Sequence, residues 1–137
     1  TKKNISRISV EKRKTEMGYV YVSSPELTAA DLVYYQNRIG GLNRICLVIN
    51  ELAEVMKAKN ITPELVSILT IPTIQRLGFI LERIVNQEVL AERLYSVSQQ
   101  QNRKFFWQPL KTGGERKGSD ADEKWKIIIN TTVTIEE

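Results

Sequence analysis

Ser24-Pro25-Glu26-Leu27-Thr28-Ala29-Ala30-Asp31-Leu32-Val33-Tyr34-Tyr35, running on through Gln36-Asn37-Arg38-Ile39-Gly40-Gly41-Leu42-Asn43-Arg44, reads as a capped helix, a double-glycine break and the start of a second helix. Ser24 is placed to accept a hydrogen bond from a first-turn amide. Pro25 stands where a helix has no use for an amide hydrogen, and Glu26 meets the positive end of the dipole. The glycines take positive φ at little steric cost, so one helix can stop sharply and the next begin within a few residues.

Upstream of this stretch, residues 4–10 and 18–23 alternate apolar and polar side chains, with Lys14-Thr15-Glu16 between them as a turn, which predicts a β-hairpin or two neighbouring strands. Downstream, Leu42, Ile45, Cys46, Ile49, Leu52, Ala53 and Met56 recur at helical spacing. Thr62-Pro63-Glu64 and Thr70 with Pro72 are two more cap signals, the first opening a short helix through Leu65, Ile68 and Leu69. The second opens a helix with Ile74, Leu77, Leu81, Ile84 and Val85 on one side. Gly78 inside that helix costs about 1 kcal/mol relative to alanine, so another helix is expected to cross close to it. A last helix is predicted over 87–99, burying Leu90, Leu94 and Val97 and fraying into Gln99-Gln100-Gln101-Asn102.

Phe105-Phe106-Trp107 reads as a strand, Lys111 to Glu123 as a loop, and Trp125, Ile127, Ile129, Thr131, Val133 and Ile135 as one face of a closing strand. The expected fold is α+β: a central bundle of about five helices, flanked by N-terminal and C-terminal strands that form a small antiparallel sheet. At 137 residues the chain is the size of one domain, 1–137, with enough sequence to build a core. No apolar run approaches the roughly 18 residues of a membrane span, and no signal peptide opens the chain. A cytoplasmic location is expected.

Histidine is absent and cysteine occurs once, which removes the commonest general base and metal ligand and any internal disulfide. Cys46 falls on the apolar side of its helix, the place of a core thiol. No phosphate-binding glycine loop, nucleophile elbow or paired cysteine motif is present. No cofactor and no small-molecule substrate are expected. Asp120, Asp122 and Glu123 beside Lys124 have the composition of a metal-dependent nuclease set, yet they crowd one loop where such acids come from separate strands.

Net charge is +4, enough to allow nucleic-acid contact and too little to require it. Basic residues gather at Lys2 to Lys14 and again at Arg103 to Lys117, as protected strand edges or as a phosphate-facing surface. Arg38, Asn43, Arg44, Gln75 and Arg76 lie near turns and helix starts. Together with Arg103, Lys104, Arg116 and Lys117 they are the candidate contacts to DNA or a partner. Arg38 and Arg44 equally suit local pairing with Asp31 or Glu51. Tyr34, Tyr35, Phe105, Phe106 and Trp107 suit either core packing or an aromatic contact surface.

Four phrases recur in order here: Ser24 to Leu32 (S-x-E-L-T-A-x-D-L), Gly40 to Arg44 (GGL-[NS]-R), Glu51 to Glu54 (ELAE) and Gln75 to Gly78 (QRLG), followed by Trp125 to Asn130 as W-x-[IL]-x-[IV]-N. Their order and spacing resemble the C-terminal domain of AbiEi-type antitoxins of abortive-infection, type IV toxin–antitoxin systems, over roughly residues 17 to 137. The resemblance implies a non-enzymatic antitoxin domain that opposes a nucleotidyltransferase-like toxin, without a stable complex being presumed. It also implies a winged helix–turn–helix domain ahead of the matched region, through which such proteins repress their own operon. No such domain fits before Ser24. The rival readings are a DNA-binding regulator working through its basic patches and, behind it, a nuclease.

Overall fold

A computed structural model describes residues 10–15, 18–38, 41–111, 120–131 and 133, and for 10–15 and 18–23 the backbone alone. Strands β1 (Val10–Thr15) and β2 (Gly18–Ser23) pair antiparallel from Val10 opposite Ser23 to Thr15 opposite Gly18. The hairpin expected here exists, and its first strand runs on past Val10 into the expected turn. Lys14 and Thr15 are in the ladder rather than in the turn, and residues 4–9 lie outside the described ones.

Helix α1 (Pro25–Tyr34) opens as its sequence dictates, with Ser24 Oγ accepting from the Leu27 amide at 3.2 Å. A single 3-10 turn, Gln36–Arg38, follows. Gly41, at φ 94°, then donates its amide to the Gln36 carbonyl and lets α2 (Leu42–Leu52) begin. A side chain at that angle would be strained, which is why a glycine stands there. Glu26 is buried in the first turn of α1, and its Oε2 accepts the Lys57 amide at 2.7 Å, fastening the loop after α2 to the start of α1. Helices α3 (Pro63–Ile68) and α4 (Ile71–Phe79) repeat the cap, Thr62 accepting from Leu65 and Thr70 from Thr73.

Helix α4 continues without a break into a π turn, Ile80–Ile84, in which the Val85 amide reaches the Ile80 carbonyl. Asn86, in left-handed conformation, ends it. Helix α5 (Glu88–Gln100) does not fray. Asn102 is left-handed, its amide bonds to the Gln99 carbonyl, and the Arg103 amide bonds to the Ser98 carbonyl, the paired hydrogen bonds of a Schellman stop. The five α-helices among the described residues pack α1 on α2 and α4, α4 on α5, and α3 on α5. Ile45, Ile49, Ile74, Ile80, Leu81 and Leu94 are fully buried between them.

The fold is α+β as expected, but its described strands form two separate ladders. Strands β3 (Gln108–Pro109), β4 (Asp120–Asp122) and β5 (Ile127–Ile129) form a mixed sheet ordered β3-β5-β4, with β3 parallel and β4 antiparallel to β5. The closing strand is shorter than alternation predicts. Asp122 Oδ2 accepts the Trp125 amide at 2.8 Å and Lys126 sits at φ 52°, so residues 123–126 form a turn instead of extended chain. Phe105 to Trp107 are not strand either, and the Phe106 carbonyl accepts from the Gln75 side chain instead of a neighbouring strand.

Trp125 organises this end of the molecule. Fully buried, it stacks on Phe105 with ring centres 5.9 Å apart and meets Tyr95 edge-on at 5.3 Å. Its ring lies against Gly78, where a Cβ would overlap the indole. The close approach expected at Gly78 is therefore real, but an indole makes it and not a helix. Among the described residues no helix is long and apolar enough to cross a membrane.

Candidate partner and nucleic-acid interface

The residues singled out by sequence divide into those turned inward and those on the surface. Gln75 lies inside, fully buried on α4. Its Nε2 donates to the carbonyls of Phe106 at 2.5 Å and Trp125 at 2.8 Å, and more weakly to Lys126 at 3.4 Å. The amide can sit only one way, since its oxygen in that place would face three acceptors. Arg76 Nε donates to the Pro109 carbonyl at 2.9 Å. Arg103 reaches back to the end of α3, its two terminal nitrogens donating to the carbonyls of Val66, which also accepts the Leu69 amide, and of Leu69, at 3.1 and 2.6 Å. Gln75, offered as a partner contact, is therefore corrected to an internal strut. Arg76 and Arg103 likewise use donors within the chain.

The phrase Gln75 to Gly78 and the phrase beginning at Trp125 thus explain each other. The first supplies a donor for the Trp125 carbonyl and an empty seat for its ring, so the C-terminal sheet docks into a socket cut in α4.

On the surface, Arg38, Asn43 and Arg44 surround the Gly41 turn and are exposed. The Arg38 guanidinium lies 5.8 Å from the centre of the Tyr35 ring, and among the described residues neither Arg38 nor Arg44 is in an ion pair. An open recess of about 490 Å³ is lined by Tyr34, Tyr35, Gln36, Asn37 and Arg38. Tyr34, which by sequence suits either core packing or a contact surface, is 57% exposed.

A second surface lies along the segment after α5. Phe105 turns into the core, whereas Phe106 and Trp107 are 55% and 40% exposed. Lys104 Nζ sits 5.5 Å from the Phe106 ring centre and Lys126 Nζ 5.2 Å from that of Trp107. Lys126 escaped the sequence reading, although in an alternating segment it falls opposite Trp125 and so on the outer side. Arg116 and Lys117 lie outside the described residues.

Of the nuclease-like loop, Asp120 and Glu123 are exposed, whereas Asp122 and Lys124 are engaged. Asp122 Oδ1 accepts from Arg83 Nε at 2.9 Å, and Lys124 Nζ binds Glu82 at 2.8 Å and also pairs with Glu92. Trp125 Nε1 donates to Glu82 at 3.1 Å. Burial pushes the Glu82 carboxyl up, but hydrogen bonds from Lys124 and Trp125 and the charges of Lys124 and Arg83 outweigh it, leaving Glu82 below its ordinary value of 4.5. Burial pulls Lys124 down, and the bonds and charges of Glu82 and Glu92 more than reverse this, placing it above its ordinary 10.5. This cluster joins the π turn and α5 to the sheet. Among the described residues no group of three or more potential ligands is placed to hold a metal ion. Cys46 is fully buried, and burial pushes its thiol up to about 12, so it is protonated and unreactive in the folded state.

The patches around the Gly41 turn and after α5 therefore offer basic and aromatic contact area. The model of the AbiEi antitoxin C-terminal domain matches residues 1–83, and the chain belongs to that family. Its role is that of the antitoxin in a toxin–antitoxin pair. The match takes in the four phrases from Ser24 to Gly78 and ends in the π turn; the Trp125 phrase lies beyond it. No curated protein and no solved structure matches the chain.

Proposed function

We propose that this domain is the toxin-countering part of a type IV, abortive-infection antitoxin that opposes a nucleotidyltransferase-like toxin in the cytoplasm. It acts without catalysis, by the surface it presents. An upstream winged helix–turn–helix domain supplies operator recognition, and the present domain adds phosphate contacts through Arg38, Asn43 and Arg44 around the Gly41 turn and through Lys104. The observation that carries the reading is the family match over residues 1–83, with its four phrases standing in order.

The supporting chemistry is the character of the exposed groups. Arg38 and Arg44 are cations outside any ion pair among the described residues, and the acids of the Glu82, Glu92 and Asp122 cluster face Lys124 and Arg83. Co-expression tests the reading: the toxin gene paired with this one, expected to encode a nucleotidyltransferase, is induced with and without this chain. Growth is expected to recover with the chain present. Continued arrest at equal protein levels would refute an antitoxin acting on that toxin.

A further inference from the structure

The segment between α5 and β3 combines a rigid backbone with outward-facing rings, a pairing that packing alone does not call for. Arg103 is tied to the end of α3, Phe105 is stacked under Trp125, the Phe106 carbonyl is held by Gln75, and the Gln108 amide bonds to the Lys126 carbonyl at 3.0 Å. Phe106 and Trp107 are consequently exposed on a fixed support and not on a slack loop. Each carries a lysine ammonium near its ring, Lys104 and Lys126 respectively, and Lys111 is exposed a few residues on. From Arg93 through Gly114 the sequence contains no acidic residue.

We infer that Phe106 and Trp107, with Lys104, Lys111 and Lys126, form a stacking site for single-stranded nucleic acid. A base laid on an exposed ring places its phosphate within reach of the lysine beside that ring, so one nucleotide engages both groups. Such sites combine base-stacking aromatics with backbone-tracking cations and tolerate any sequence. Duplex fits poorly, since its base faces are already stacked on one another. A protein partner fits less well too, because lysine is depleted at protein interfaces while here it borders both rings. Apart from Lys104 the site shares no residue with the phosphate contacts proposed above, and it does not depend on the antitoxin reading.

Fluorescence anisotropy of the full chain with labelled oligomers of roughly ten nucleotides, a length within the range of known single-strand sites, provides the test. Three probes of one sequence are used: single-stranded RNA, single-stranded DNA and duplex DNA. Both single strands, or one of them, are expected to bind more tightly than the duplex, and preference between the two identifies the natural source. Trp107→Ala is expected to weaken binding roughly tenfold, with Trp107→Phe retaining most of it. Replacing Lys104 and Lys126 by Gln lowers the salt slope by about 1.4, at about 0.7 per lost phosphate contact. Phe106→Ala carries the test should Trp107→Ala lose its fold. Duplex bound as tightly as either single strand, no binding at low salt, or undiminished binding by folded Trp107→Ala or Phe106→Ala would each overturn the inference.

Discussion

The helical block from Ser24 to Phe79 and the C-terminal segment from Arg103 to Thr131 are held in shape by different kinds of hydrogen bond. In the first, Ser24, Thr62 and Thr70 each cap the helix that starts one residue later, so the bonds that open the helices span three residues, with the Glu26–Lys57 bond across 31 as the exception. In the second, the fixing groups come from afar. Gln75 reaches carbonyls 31, 50 and 51 residues away, and Arg103 bonds α3 across 37 and 34. Local bonds make local elements that survive small changes elsewhere. Remote bonds make a region whose conformation exists only while the rest of the fold is in place.

Breaking the remote set has the largest expected effect. Trp125→Ala empties a seat surrounded by Gly78, Phe105 and Tyr95 and is expected to cost about 3–5 kcal/mol, read as a fall in the urea midpoint. Gly78→Ala probes the same contact from the other side, by overlap in place of cavity, and should cost about 1–3 kcal/mol or more.

Gln75→Leu comes next, at about 1–3 kcal/mol, because it leaves buried carbonyls of the C-terminal segment without a donor. Hydrogen exchange sharpens the point. Protection should drop at residues 105–129 and hold in α1, and equal loss in both regions would erase the distinction drawn above.

Cap substitutions rank lower. Ser24→Ala, Thr62→Ala and Thr70→Ala should each cost about 1 kcal/mol and add nearly independently, since the caps serve separate helices. A Thr70→Ala loss as large as that of Gln75→Leu would contradict the local character of the capped block.

The smallest effect is on pH dependence. Glu82 is lowered in the fold, so its contribution is complete above its unfolded-state pKa of about 4.3 and is lost as pH falls through the lower folded value. Lys124 is raised, so its contribution is complete below about 10.4 and is lost as pH rises through the higher folded value. Chemical denaturation across pH should show a plateau between these limits. Glu82→Gln should flatten the acid limb and Lys124→Met the alkaline one.

The same contrast explains what could be read from residues alone. The capped starts at Ser24, Thr62 and Thr70, the Gly41 break and the apolar face of α2 were legible because each signal and its effect lie within a turn or two. The π turn was not, and Glu82 within it takes its partners Lys124 and Trp125 from 42 and 43 residues away. Phe105 to Trp107 look like strand by composition, yet Gln75 takes the carbonyl that a neighbouring strand would have used. Trp125 and Lys126 alternate correctly, but the Asp122 carboxylate turns the chain before the ladder starts. For the candidate interface, the exposure of Arg38, Asn43 and Arg44 was legible from their place beside the double glycine. Gln75 looked accessible because a polar residue on a helix usually faces water. Lys126 was overlooked because its neighbour Trp125 drew the assignment.

The seclusion of Cys46 has a practical corollary. As the sole sulfhydryl of the chain, sealed between helices and held protonated, it meets a maleimide only in those moments when the core parts. The pace of its alkylation therefore counts breathing events of the native molecule, a built-in stopwatch that needs no added probe.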